Sequence, residues 1–196
     1  MRYRNLQHSI NIVSRRLHFF WGKRNYISAL WWGIKLGKDS KFDGKCHFEK
    51  FPDTIIEIGD NCEFRSRKNS NLIGINRPCS ISTMNSKYQA SVEIGNNCGF
   101  SGTVIGAFKS IKIGANVKCG ANTLITDADW HLDDIRSGAP KDVIIGDNVW
   151  LGEGAKVLKG VTIGENSLIG AGSVVTKSIA ANVIAAGNPC KELRSL

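Results

Sequence analysis

Long apolar runs, paired cysteines and clustered histidines are all missing from this chain of 196 residues. With no stretch of about 18 apolar residues, a transmembrane helix is not expected. The first residues lack an apolar run ending in small residues, so no secretion signal is expected and a cytosolic location is. The six cysteines (Cys46, Cys62, Cys79, Cys98, Cys119 and Cys190) form no C-x-x-C pair, and none of the four histidines sits at zinc-finger spacing. Acidic residues are missing locally. Residues 1–38 carry eight Lys and Arg and no Asp or Glu, while the remainder balances 18 basic against 17 acidic residues. The net charge of +9 therefore belongs to an N-terminal arm, and nucleic-acid binding does not follow from it.

What the chain does have is a repeat. Ile145, Leu151, Val157, Ile163, Ile169 and Val175 stand six apart, with Val149, Ala155, Val161, Ser167 and Ser173 running in phase. Gly146, Gly152, Gly164 and Gly170 directly follow four of the aliphatics. Neither an α-helix nor a flat strand needs a branched aliphatic at every sixth residue. A chain that turns a corner after each short strand does, because three corners close one coil of a triangular prism. The aliphatic points inward, the small residue fills a tight slot, and glycine is expected to relieve the turn. The fold class is all-β, a parallel β-helix of hexapeptide repeats.

Earlier coils are irregular. Ile58 and Phe64, then Ile94 and Phe100, then Ile113, Cys119 and Ile125 keep the step of six, with loops expected near 45–54, 65–90 and 106–111. Cys62 and Cys98 take equivalent small-residue slots, where a reduced thiol is a compact packing group. Between Ile125 and Ile145 the register breaks, which throws out a loop over 126–142 that carries Asp127, Asp129, Trp130 and His131. Three segments are expected: an arm over 1–33, a β-helix over 34–183 and an exit segment over 184–196. In the arm, Leu6 to Tyr26 reads as helical, with Ile10, Val13, Leu17 and Phe20 on one face and Trp21, Trp31 and Trp32 as an aromatic cluster. It suits either a cap on the open end of the prism or a peripheral contact with anionic lipid at the inner face of the cell membrane.

Val149-Trp150-Leu151-Gly152, Ile169-Gly170-Ala171-Gly172-Ser173-Val174-Val175-Thr176-Lys177 and Ala186-Gly187-Asn188-Pro189-Cys190-Lys191, together with Asp129-Trp130-His131, resemble hexapeptide-repeat acyltransferases. The nearest branch is similar to galactoside and maltose acetyltransferases and to relatives that O-acetylate bacterial surface polysaccharides. The resemblance covers about 34–194 and implies a left-handed β-helix homotrimer. It also implies acetyl-CoA as acyl donor, a saccharide acceptor, active sites between neighbouring prisms, and no metal.

By the same resemblance His131 is the general base, and a backbone N–H at Gly152-Glu153 stabilises the oxyanion. Trp150, Gly152, Gly170 and Ala171 line the pantetheine path, and Lys177, Lys191 and Arg194 meet the coenzyme A phosphates. Ser101, Asp127 and Asp129 face the sugar, or Asp127 and Asp129 orient His131. A histidine with pKa near ~6.5 is suited to deprotonating a hydroxyl as it attacks. No serine or cysteine stands in the context of a covalent nucleophile, so direct transfer is expected. Zinc carbonic anhydrases share the prism but need three histidine ligands, which the repeats lack. Antibiotic acetyltransfer and a non-catalytic structural β-helix remain the alternatives.

Overall fold

A branched side chain at every sixth residue leaves the backbone little choice but to turn, and in the computed structural model it does so three times per coil. Residues 20–84 and 87–196 are described. Face 1 stacks Lys35–Leu36, Ile55–Ile58, Ser91–Ile94, Ser110–Ile113, Val143–Ile145 and Thr162–Ile163. Face 2 stacks Lys41–Asp43, Glu63–Arg65, Gly99–Ser101, Lys118–Ala121, Trp150–Leu151 and Leu168–Ile169. Face 3 stacks His47–Lys50, Ser80–Thr83, Val104–Ala107, Leu124–Thr126, Lys156–Val157 and Val174–Val175. All three sheets are parallel, so each strand's N–H and C=O groups pair with the coils above and below. Trp150 pairs with Leu168 eighteen residues on, three hexads to a coil. Lys118 pairs with Trp150 thirty-two residues on, because the loop over 126–142 adds fourteen.

Each face sends one column of side chains inward. Face 2 supplies Phe42, Phe64, Phe100, Cys119, Leu151, Ile169 and Ala185 in register. The first three rings stack at 4.9 and 5.1 Å, which fills the early coils with aromatics where later coils use aliphatics. The six cysteines are reduced and buried, and burial pushes the Cys119 thiol up to about 12, as befits an inert packing group.

Several expectations need correcting: where loops were expected near 45–54 and 106–111, His47–Lys50 is a strand of face 3 and only residues 108–109 separate Val104–Ala107 from Ser110–Ile113. The stretch 65–90 is two excursions, not one: Ser80–Thr83 returns to face 3 and seats Ile81 in the column. The chain does not leave the prism after Val183. Val183–Gly187 adds a seventh strand to face 2 beside Leu168–Ile169, and Cys190–Ser195 folds back on it antiparallel. The glycines after the aliphatics do not supply the left-handed turn residue. They permit close stacking: a Cβ on Gly146 would sit 2.6 Å from the Glu165 nitrogen, and one on Gly152 2.5 Å from the Ala171 nitrogen.

The left-handed residue between faces 1 and 2 is Asp39 (φ 57°) in the first coil and asparagine in the later ones. Asn61, Asn97, Asn116, Asn148, Asn166 and Asn182 have φ between 56° and 60°, a region that asparagine tolerates better than other side chains. Their amides form a ladder up the edge, from Asn97 to Asn116 (3.2 Å), Asn148 (3.1 Å), Asn166 (2.9 Å) and Asn182 (2.9 Å), each Nδ2 donating to the next Oδ1.

The N-terminal end is covered by a helix over 20–31. Buried Asn25 donates from Nδ2 to the Gly44 carbonyl at 3.0 Å and accepts from the Cys46 amide at 2.8 Å. Tyr26 Oη donates to the Gly37 carbonyl at 2.9 Å, and its ring meets Phe42 edge-on. The helix thus caps the first coil, satisfying backbone groups that no coil beneath would pair. The remainder of the expected helix, including Ile10, Val13 and Leu17, lies outside the described residues. Among the described residues no helix is long and apolar enough to cross a membrane.

Replacing Asn148 by Ala removes two ladder bonds and forces a Cβ residue without local compensation into the left-handed region, which should cost about 1–3 kcal/mol. Asn148→Gly keeps the easy turn and loses only the ladder, so its urea midpoint should fall between those of wild type and Asn148→Ala. Equal damage from Gly and Ala would show that backbone conformation is not what asparagine supplies.

Candidate active site

The loop over 126–142 leaves the edge between faces 3 and 1 and is tied down at its base. Asp127 is fully buried: Oδ1 accepts from the Phe108 amide at 2.8 Å, and Oδ2 from the Lys109 and Ser110 amides at 2.7 and 2.8 Å. Burial raises its pKa above the usual carboxylate value, although the three N–H donors pull the other way. Asp127 therefore does not face a sugar or His131, contrary to the sequence expectation. It joins the turn over 108–110 to the root of the loop.

Asp129 is likewise engaged. Its Oδ2 takes the Lys159 ammonium and the Gly138 amide (3.0 Å), and the Lys159 bond is the main reason its pKa lies below normal. Next in the chain is Trp130, whose φ of 71° is rare for a bulky residue. Its indole Nε1 donates to Thr126 Oγ1 at 2.9 Å and its ring packs edge-on to Phe108 at 5.4 Å. Gly106 leaves space for that ring: a Cβ there would lie 2.8 Å from Trp130 Cη2. Beyond these anchors the chain at His131 is turned outward. The imidazole is exposed and hydrogen-bonds no described residue.

The other predicted residues lie elsewhere on the prism. Trp150 is exposed on face 2, between Lys118 and Leu168 in adjacent coils. Ser101 ends the strand two coils below, and its Oγ accepts from Asn71 Nδ2 at 3.2 Å. It lines a groove with Glu63, Arg65 and Lys118. Gly152 and Ala171 lie on successive coils at the edge between faces 2 and 3, where Gly154 (φ 66°), Gly172 (φ 69°) and Gly187 (φ 108°) leave a strip without side chains. Lys191 pairs with Ala186 at the end of that strip, and Arg194 pairs with Ile184 farther along face 2.

Two details change the expected roles. The Gly152 amide donates to the Ile169 carbonyl at 2.7 Å, and the Gly170 amide to the Ala185 carbonyl at 2.8 Å, so neither is free for an oxyanion or a pantetheine. The amides of Glu153 and Ala171, one residue on, donate to no described group and are the available donors on that edge. Lys177 lies between Val175 on face 3 and Ile179 on face 1, at the edge of the loop rather than of Trp150. In one chain, then, Ser101, Trp150, Ala171 and Lys191 gather on face 2 and its edge, while His131, Asp129, Lys159 and Lys177 gather at the opposite edge. The bonds of the loop run to Phe108, Lys109, Ser110 and Lys159, all at that opposite edge. Lys159, Lys118 and Asn71 were not singled out by sequence; their contacts arise from coil stacking across separations that no local spacing displays. Among the described residues no group of three or more His, Cys, Asp or Glu could hold a metal ion.

Residues 142–177 match the family model for the bacterial transferase hexapeptide (six repeats). That stretch is made of hexapeptide repeats of the bacterial transferase type. A putative acetyltransferase of Schizosaccharomyces pombe is 45% identical over 106 residues, covering 51% of this chain and 48% of that protein. Galactoside O-acetyltransferase of Escherichia coli K12 is 38% identical over 115 residues, 56% of each chain. The chain spans about half the length of these two curated relatives. Among solved structures, the hexapeptide-repeat acetyltransferase of Vibrio cholerae complexed with acetyl coenzyme A aligns with a TM-score of 0.54 at 24% identity, covering 89% of this chain and 77% of that one. That likeness is one of fold, and the fold is the left-handed parallel β-helix expected of hexapeptide repeats.

The tie between Asp129 and Lys159 is testable through Arg136, which is exposed at the loop's outer end. Asp129→Asn should speed tryptic cleavage after Arg136 severalfold, read by intact mass. Because the Asp129 pKa is depressed on folding, its contribution is present above the ordinary carboxylate pKa near ~3.9 and is lost as pH falls through the lower folded value. Loop protection should therefore persist at pH 5, and unchanged cleavage in the variant would show that the tie does not hold the loop.

Proposed function

We propose that this protein transfers an acetyl group from acetyl-CoA to a sugar hydroxyl, in the synthesis of a surface polysaccharide. The observation that carries the reading is the presentation of His131: a rigid prism spends a buried carboxylate, a left-handed tryptophan and an ion pair on holding one unpartnered imidazole in solvent. The galactoside O-acetyltransferase relative supports the reaction class, and the acetyl-CoA complex of the Vibrio cholerae fold relative supports the donor.

In the proposed reaction His131 takes the proton of the acceptor hydroxyl as its oxygen bonds to the thioester carbon. The C–S bond then breaks and coenzyme A leaves as the thiol after regaining a proton. The oxyanion formed between these events needs a donor, worth ~3 kcal/mol when well aimed. The Glu153 amide replaces Gly152 in that role. The side-chain-free strip beside Trp150 suits a long thin pantetheine, with the Ala171 amide available to one of its carbonyls and Lys191 near its far end for phosphate. Ser101, with Lys118 and Arg65, would meet the sugar. Since His131 and Trp150 lie on opposite sides of one prism, the site closes only when the loop edge of one copy faces the second face of another. A cyclic trimer brings three such pairs together. The reading places the enzyme in the cytosol.

Coenzyme A thiol release in the presence of simple glycosides, lipid-linked saccharides and acetyl-accepting antibiotics tests this. His131→Ala should lower turnover by about 10²-fold or more while acetyl-CoA binding is retained. Undiminished turnover would remove His131 from the chemistry, and preference for an antibiotic would replace the sugar.

A further inference from the structure

The helix over 20–31 has two apolar faces, and the prism uses one. Asn25, Tyr26 and Ala29 point into the first coil. On the opposite side Phe20, Ile27 and Trp31 fall within one narrow stripe, with Leu30 beside them, at 56, 67, 85 and 80% exposure. At 3.6 residues per turn, positions 20, 24, 27 and 31 share a face, so Arg24 lies in the same stripe, its guanidinium over the Trp21 ring at 5.6 Å. A helix that only capped a coil would turn polar side chains to solvent here. An apolar groove lined by Ile27, Leu30, Ile34 and Leu36 continues the surface onto the first coil.

Charge identifies the partner. Residues 1–38 hold eight basic residues and no acid, against near balance in the rest of the chain. Clustered cations with interleaved Trp, Phe and Ile are what an anionic lipid surface selects, the rings and aliphatics entering the acyl boundary while cations meet the headgroups. A second copy on the same face would bring two such arms together against their like charge. We propose that the outer face of this capping helix docks the protein on an anionic membrane surface, end-on, so that the coils project away from the bilayer. Capping and membrane contact are then two faces of one helix rather than alternatives.

The test is flotation of the full chain with vesicles of phosphatidylglycerol and phosphatidylcholine, against vesicles of phosphatidylcholine alone. Wild type should float with the anionic vesicles, at least about tenfold better than with neutral ones, and lose most binding at about 0.5 M salt. The double substitution Ile27→Asp with Trp31→Asp should reduce flotation about tenfold or more. Its solution mass should not change and its melting midpoint should fall by no more than a few degrees, because both side chains are mostly exposed. No flotation of wild type, or flotation unchanged in the variant, would overturn the proposal. A change in solution mass would overturn it too, assigning the face to a contact between copies. The measurement does not read acetyl transfer, so it stands or falls apart from the proposed reaction.

Discussion

Everything in this structure depends on how closely one coil can lie on the next. Parallel strands pair at about 4.8 Å, and at the corners the whole backbone must hold that spacing while changing direction. Side chains are in the way, so the chain removes them where the edges touch and uses αL residues where it turns. Gly59, Gly95, Gly114, Gly146 and Gly164 face the backbone of the next coil, and the asparagines two residues later take the left-handed conformation. The same constraint shapes the surface to which the proposed reaction assigns the cofactor. On the edge between faces 2 and 3 the left-handed residue is glycine at Gly44, Gly102, Gly154, Gly172 and Gly187, interrupted by Asn122, so that beside Trp150 these turn positions carry no side chain.

Rigid stacking also explains where irregularity can be tolerated. An excursion that starts and ends at a corner leaves the register of the three sheets untouched: Ile111 still pairs with Val143 across the loop over 126–142. The molecule can thus carry long insertions on a scaffold that does not adjust to them. The cost falls on the coil beside the insertion, whose corner amides need another partner. Here Asp127 is that partner, accepting from three consecutive amides of the next turn over.

How much of this was legible in sequence follows from the range of each interaction. The clean hexads from Ile145 to Val175 are local and periodic, and they occupy the three columns as read. Ile81 was missed because it stands alone between two excursions, with no second hexad to mark its phase. The glycines were found but given the wrong task, since a one-dimensional pattern cannot separate a residue that turns from a residue that lets a neighbour approach. The exit strand at Val183 was misplaced because its step shortens: Ile163 meets Ile179 after sixteen residues rather than eighteen.

The loop gives the sharper lesson about site residues. Sequence marks it as chemically rich, with Asp127, Asp129 and a histidine close together on one excursion, and invites the view that the acids act on substrate. The structure assigns them differently: Asp127 to backbone amides, Asp129 to Lys159 and Gly138, and Asp134 to Arg136. Acids in a loop compete for whatever donors are nearest, and backbone N–H groups left unpaired by an excursion are always near. In the proposed reaction the general base must escape that competition, because an imidazole already accepting a hydrogen bond cannot take a proton from substrate. His131 escapes it in a loop whose preceding residues, Asp127, Asp129 and Trp130, are all held. The partnered acids and the unpartnered histidine are therefore one device: the first consume the local donors so that the second stays available.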